Sequence, residues 1–162
     1  MTIEANVLND IRYDFSTGPD TEENNFANDE PFWNWFRENT NSYYQCDIKD
    51  LAYTDESNLP GNCFGNSQRI TQQDDLEYCE GFVKVNGAYI FHGFNVLNNC
   101  IIDSTIQSNP NSFIDNSGEL PSEYIGVVIP KDFVEDNASL DVTETSINQP
   151  SLLYEYYLST LE

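Results

Sequence analysis

The sequence predicts an α+β domain in which an antiparallel β-sheet, a meander, packs against a layer of helices near the N-terminus. The chain has 162 residues, the length of one domain with a sizeable core. Apolar residues alternate through residues 77–97, and Asn86-Gly87 interrupts them with the sequence of a tight hairpin turn. Before this block, residues 29–38 carry aromatic side chains at helical spacing.

The N-terminal segment, residues 1–29, is polar and acidic, and we expect it to be extended or partly disordered. Within it, Ile11, Tyr13 and Phe15 alternate and suggest a short strand. Residues 30–162 are predicted to form the single α+β domain.

The first predicted helix covers residues 29–38, with Asn28 or Asp29 as its cap and proline in its first turn. Phe32, Trp35 and Phe36 share one face of this helix, with Trp33 at its edge. This aromatic face could anchor the helix to the core or line a groove for a ligand. We favour the anchor, because aromatic stripes at helical spacing usually pack.

The remaining elements follow in order along the chain. A helix is predicted over residues 63–73, after a turn cluster at 58–62 in which Asn62 is a candidate cap. Three strands, at 77–85, 88–97 and 100–105, are joined by tight turns at 86–87 and 98–99. A polar loop, a strand at 122–130, a helical turn at 131–137 and a helix at 148–158 complete the prediction.

Composition excludes several classes of partner. Twenty-eight acidic residues against 6 basic ones give a net charge of −22, which opposes binding to nucleic acids and to anionic membranes. No apolar run is long enough to span a membrane, and the first residues do not read as a signal peptide. We therefore expect a cytoplasmic protein, in the host cytoplasm if it is phage-encoded.

The four cysteines are widely and unevenly spaced, and the chain has one histidine. This pattern does not match the common zinc motifs, so no metal and no cofactor is predicted. Without an export signal, we expect the thiols to be reduced.

Three residues suggest catalysis. Cys63, His92 and Asp103 occur in the chain order of a thiol nucleophile, its base and the group that orients the base. At the start of a helix, Cys63 would have its thiolate favoured by the helix dipole, and its backbone N–H would be a candidate oxyanion donor. The structural alternative is a small buried hydrophobic residue.

The strand register predicts where Asp103 lies. If Asn98-Asn99 is a two-residue turn, Phe94 pairs with Asp103 and His92 with Thr105. Asp103 then lies diagonally opposite His92 on one sheet face, at roughly 7–8 Å between the residues. The alternative is a half-buried histidine with a purely structural role.

Five short motifs in this order resemble compact phage and bacterial members of the papain-like, or transglutaminase-like, cysteine-hydrolase superfamily. The motifs span about residues 60–134 and are Asn62-Cys-Phe-Gly-Asn-Ser67, Glu77-Tyr-Cys-Glu-Gly-Phe82, His92-Gly-Phe-Asn-Val96, Ile102-Asp-Ser-Thr105 and Tyr124-Ile-Gly-Val-Val-Ile-Pro130. The family's His-Ala-Trp is here His-Gly-Phe, and its Asp-Pro-Thr is Asp-Ser-Thr. These departures alter the expected wall of the pocket.

The resemblance implies a papain-like core and a role for each matched residue. Cys63 corresponds to the nucleophile, His92 to the base and Asp103 to the orienting group. Asn66 would steady the helix start by a hydrogen bond, and Glu80 would be a strand partner near the site. An upstream side chain, Asn58 or Asn62, would help to bind the oxyanion.

We therefore expect a cysteine-dependent hydrolase or acyltransferase that acts on an amide or thioester bond of a peptide or small amide. The alternative is a non-catalytic acidic inhibitor, a nucleic-acid mimic that occupies a basic surface of a partner protein. The sequence leaves the substrate and the oligomeric state open.

Overall fold

A small closed β-barrel is the centre of the fold. The computed structural model describes residues 3–18, 26–44, 63–74, 76–108, 121, 123–138 and 151–162. Five strands lie in the order β1–β4–β3–β2–β5, and β5 pairs with β1 to close the barrel. They are β1 Asn41–Tyr44, β2 Glu77–Val85, β3 Ala88–Leu97, β4 Cys100–Ile102 and β5 Glu123–Ile129.

All strand pairs are antiparallel except β1 with β4, which meet in parallel at Tyr44 and Cys100. Six helices accompany the strands in the described residues: α1 Ala5–Thr17, α2 Glu30–Asn39, α3 Cys63–Asp74, α4 Ser104–Ser108, α5 Lys131–Asn137 and α6 Leu153–Ser159. The prediction of an α+β domain with an antiparallel sheet is confirmed.

Two tight turns set the register of the central strands. Asn86 and Gly87 have φ values of 51° and 82°, and Asn98 and Asn99 have 52° and 65°. Positive φ at both central residues is typical of the type I′ turn, whose twist matches that of a hairpin. Both predicted turns are confirmed.

The N-terminal segment is not extended. Residues 5–17 form α1, and Leu8, Ile11 and Phe15 are buried against the core. Tyr13, which the strand interpretation placed with Ile11 and Phe15, is 68% exposed. The spacing of three and four residues from Leu8 to Phe15 is helical. The strand predicted from the alternation is therefore wrong.

The third strand of the meander is shorter than predicted. β4 ends at Ile102, and α4 begins at Ser104. The predicted partners Val96 and Ile101 do pair, but the last pair is Asn95 with Ile102. Asp103 ends the strand because its Oδ1 accepts the backbone N–H of Ile106 at 3.2 Å, as a helix cap does.

Two apolar cores lie on the two faces of the sheet. The interior of the barrel holds Phe94, Val96, Ile101 and Tyr124 among others. The outer face is covered by α1, α2 and α6, whose aromatic rings pack on Phe82. The predicted core anchor on α2 is confirmed for Phe32 and Phe36, which are fully buried. The places of the two tryptophans are reversed, because Trp33 is fully buried and Trp35 only partly so.

Several helix predictions are confirmed within a residue or two. Asp29 caps α2 by accepting the N–H of Phe32 at 3.0 Å, and α3 and α5 lie where they were expected. The C-terminal helix begins later than predicted, at Leu153. Asn62, the candidate cap of α3, lies outside the described residues.

The expectation of reduced thiols is wrong for Cys100, which is disulfide-bonded. Cys63 and Cys79 are free thiols. Cysteines far apart in sequence are brought together only by the fold, so their spacing does not reveal a bond.

Candidate active site

The first turn of α3 lies directly on β3. Cys63 is the first residue of the helix and is 8% exposed. A Cβ atom at Gly93 would lie 2.8 Å from Cδ1 of Phe64 and 3.4 Å from the carbonyl oxygen of Cys63. Glycine therefore allows the start of the helix to approach the strand closely.

His92 and Asp103 form a buried pair. The ring Nε2 of His92 lies 2.6 Å from Oδ2 of Asp103, and the two side chains are 1% and 2% exposed. The predicted pairing of His92 with Thr105 does not occur, because β4 ends at Ile102. The carboxylate reaches the imidazole from the loop before α4 instead.

The side chain of Cys63 also interacts with the imidazole of His92. The fold therefore brings together the three residues singled out in the sequence, in the order sulfur, imidazole, carboxylate.

The environment favours the charged form of His92. Burial by itself lowers the pKa of the imidazole, but the charges of Asp103 and Cys63 and its hydrogen bonds to both outweigh this effect and raise the pKa to about 10. His92 is therefore expected to be an imidazolium at neutral pH.

The single histidine of the chain allows a direct measurement of this charge. We expect the ring ¹⁵N signals of His92 to show an imidazolium at pH 7 and to titrate near the pKa of about 10. Because an unfolded histidine titrates near about 6.5, its stabilising contribution is complete below that pH and is lost as the pH rises through 10. A titration midpoint near 6.5 would contradict this charge assignment.

Tyr124 completes the group, and sequence reasoning gave it no role in the site. Its hydroxyl donates a hydrogen bond to Oδ2 of Asp103 at 2.7 Å, the same oxygen that contacts His92. Burial raises the pKa of Tyr124 well above its usual value, so the phenol stays a neutral donor. The chain has 10 tyrosines, and only the pairing of distant strands distinguishes this one.

Asn66, which the resemblance assigns to steadying the helix start, makes a buried side-chain hydrogen bond. Its Nδ2 donates to Oγ1 of Thr105 at 2.9 Å and ties α3 to α4. This bond also holds α3, which starts at Cys63, close to Thr105, two residues after Asp103.

Glu80, expected from the resemblance to be a strand partner near the site, pairs with Gly93 in the sheet. It is fully buried, and its Oε2 accepts the N–H of Leu152 at 2.6 Å while Oε1 accepts the N–H of Leu153 at 3.0 Å. The hydroxyl of Tyr78 donates to Oε2 at 2.5 Å and accepts from Gln68 of α3 at 3.0 Å. Glu80 therefore connects the start of α6 to the nucleophile-bearing helix.

The pKa of Glu80 lies close to neutral pH. Burial raises its pKa to about 7, although the hydrogen bonds from Tyr78 and from the two backbone N–H groups act in the opposite direction. This carboxyl group is separate from the imidazole pair, because it lies on the helix-covered face of the sheet with Tyr78 and Phe82.

The donors for an oxyanion are only partly defined. The predicted side chains, Asn58 and Asn62, lie outside the described residues. The backbone N–H of Cys63 has no acceptor within α3, because the first N–H groups of a helix lack an intrahelical partner. Within the described ranges, no three His, Cys, Asp or Glu side chains are grouped so as to hold a metal ion.

Comparisons with protein-family models, curated proteins and solved structures find no match to this chain. None of the helices in the described part of the chain is long and apolar enough to cross a membrane. The chemistry of the site has to be inferred from its own side chains.

Proposed function

We propose that the protein is a cysteine-dependent hydrolase or acyltransferase with a papain-like core, acting on amide or thioester bonds. The observation that carries this proposal is the buried imidazole of His92, which contacts Asp103 through Nε2 and interacts with the side chain of Cys63. Sulfur, base and orienting carboxylate are the groups that thiol catalysis requires.

The mechanism follows from the positions of these groups. Before the reaction the proton resides on His92 as the imidazolium, and Sγ of Cys63 attacks the carbonyl carbon of the substrate as the thiolate. The N–H of Cys63 donates to the developing oxyanion. The bond to the leaving group then breaks, and His92 returns its proton to the departing amine or thiol.

The second half of the reaction resolves the acyl-enzyme. Water, or an amine in the transferase reaction, loses a proton to His92 and attacks the thioester carbon. The carbon–sulfur bond breaks and releases the Cys63 thiolate beside the imidazolium of His92. Asp103 stays ionised throughout and holds the ring in one orientation.

The buried face of α3 supports a functional role. It carries polar side chains where a core helix normally has an apolar stripe, and they are Asn66, Ser67, Gln68 and Thr71. Among the described residues, Oγ of Ser67 is buried without a hydrogen-bond partner. Such groups cost stability, and natural proteins usually keep them where function requires them.

Thiol labelling tests the proposal. At pH 7, we expect iodoacetamide to alkylate Cys63 on the order of 100-fold faster than Cys79. Peptide mass spectrometry measures the two rates. Cys79 is fully buried, and burial raises the pKa of its thiol. A simple aryl thioester should leave an acyl group on Cys63, and the Cys63→Ala variant should remain unmodified. Equally slow labelling of both cysteines would refute a catalytic thiol.

The inhibitor alternative rests on the net charge of −22. A charge excess is usually a property of a solvated surface that keeps a protein soluble. It does not account for the buried arrangement of Cys63, His92 and Asp103, so we retain the hydrolase or acyltransferase as the proposed function.

A further inference from the structure

A cavity of about 330 Å³ lies between the C-terminal end of α1 and the start of β3. Phe15 of α1 and Tyr89, Ile90 and Phe91 of β3 line it, so its surface is largely apolar. Its volume is at the lower end of the range for small-molecule sites and suits one long side chain.

The part of the cavity wall formed by Tyr89 and Phe91 lies on the face of β3 against which the first turn of α3 packs. Side chains alternate along a strand, so Tyr89 and Phe91 share a face with Gly93, on which the first turn of α3 rests. The ring of Phe91 packs on that of Phe64 at 5.0 Å, so the apolar wall runs from the cavity to the residue after Cys63.

The distance along the strand suits an extended substrate. At roughly 3.3 Å per residue, Phe91 lies about 7 Å and Tyr89 about 13 Å from Gly93 along β3. An extended peptide covers this distance in about two to four residues. A carbonyl group held at Cys63 would therefore place a nearby side chain of the same substrate in the cavity.

The charges around the cavity are mostly negative. Asp14 lines the wall, and its Oδ2 accepts the N–H of Tyr89 at 2.8 Å, which fixes the carboxylate there. Burial raises the pKa of Tyr89 most, and the charges of Glu123, Asp10 and Asp14 raise it further. Lys84 is the cation found here, with its Nζ 5.3 Å from the centre of the Tyr89 ring.

We propose that this cavity is a substrate subsite for a long aliphatic chain that ends in a positive charge, such as a lysine-like group near the scissile bond. This inference rests on the proposed function, because it places the reacting carbonyl at Cys63. The apolar wall takes the chain, and Asp14 at that wall takes its charged end.

Affinity labelling of Cys63 tests the subsite. The probes are three iodoacetamides with a six-carbon chain on nitrogen. The chain ends in an ammonium group in the first, a methyl group in the second and a carboxylate group in the third. We expect the ammonium reagent to label Cys63 about 10-fold faster than the carboxylate reagent and several-fold faster than the methyl reagent. Rates are divided by the rate with unsubstituted iodoacetamide and measured at about 0.2 M salt, which screens the overall field.

A matched pair of variants separates the local charge from the net charge. Asp14→Asn keeps an oxygen that can accept from Tyr89 and should reduce the ammonium preference several-fold. Asp136→Asn removes the same charge from an exposed position on α5 and should leave the preference unchanged. Equal rates for the three reagents, or equal effects of the two variants, would overturn the subsite. A Cys63 that reacts no faster than Cys79 even with unsubstituted iodoacetamide would instead refute the proposed function.

Discussion

Replacing His92 with glutamine is expected to slow alkylation of Cys63 at pH 7 by about 100-fold, the lower end of what a positioned base contributes. Glutamine can still donate a hydrogen bond to Asp103, but it cannot take the thiol proton or carry a positive charge. Rates would be measured with iodoacetamide by peptide mass spectrometry between pH 6 and 10. The difference should narrow above about 8.5, where an unassisted cysteine ionises by itself.

Tyr124→Phe is the control for this experiment. It removes the hydroxyl that donates to Asp103 at 2.7 Å but leaves the imidazole in place. We expect its labelling rate to stay within a few-fold of the wild type, and its thermal midpoint will show whether it is folded. A His92→Gln protein that is folded and labelled at the wild-type rate would remove the base from the mechanism.

Asp103→Ala is expected to reduce the free energy of unfolding by about 3–5 kcal/mol, because it leaves buried partners, including the charged His92, uncompensated. The carboxylate accepts hydrogen bonds from Tyr124 and the backbone N–H of Ile106 and contacts the imidazole at 2.6 Å. Urea unfolding at pH 7 measures this loss.

Asp103→Asn is the matched variant, because it keeps the shape of the side chain and one acceptor oxygen. We expect it to cost about 1–3 kcal/mol, the penalty for a buried group left without its partner. If Asp103→Ala does not fold, the smaller loss in Asp103→Asn still measures the contribution of the charge. Losses below about 0.5 kcal/mol in both variants, the level of ordinary surface substitutions, would show that the carboxylate does not hold the site together.

Local chemistry explains which elements could be predicted. Asn86-Gly87 and Asn98-Asn99 adopt the positive φ values that a type I′ turn requires, and this preference is a property of the residues themselves. The same holds for the cap of α2, where Asp29 accepts an N–H three residues later. These elements need no partner from elsewhere in the chain.

Two errors arose where two local patterns competed. The alternation of Ile11, Tyr13 and Phe15 matched a strand, but Leu8, Ile11 and Phe15 are buried together on one face of α1. The strand through Asp103 was extended too far, because the hydrogen bond of its carboxylate to Ile106 ends β4 and caps α4. In both cases two local patterns competed, and packing or capping selected between them.

The sequence by itself determined the hairpins, the helix that starts at Cys63 and the identity of the sulfur, imidazole and carboxylate residues. Tertiary structure alone decided that these groups meet, that Tyr124 shares the carboxylate oxygen with His92, and that Glu80 binds the start of α6. The physical reason is the separation in sequence of the residues that interact. Turns and caps depend on neighbours a few residues apart. Each of these contacts, in contrast, joins segments that only barrel closure and core packing bring together.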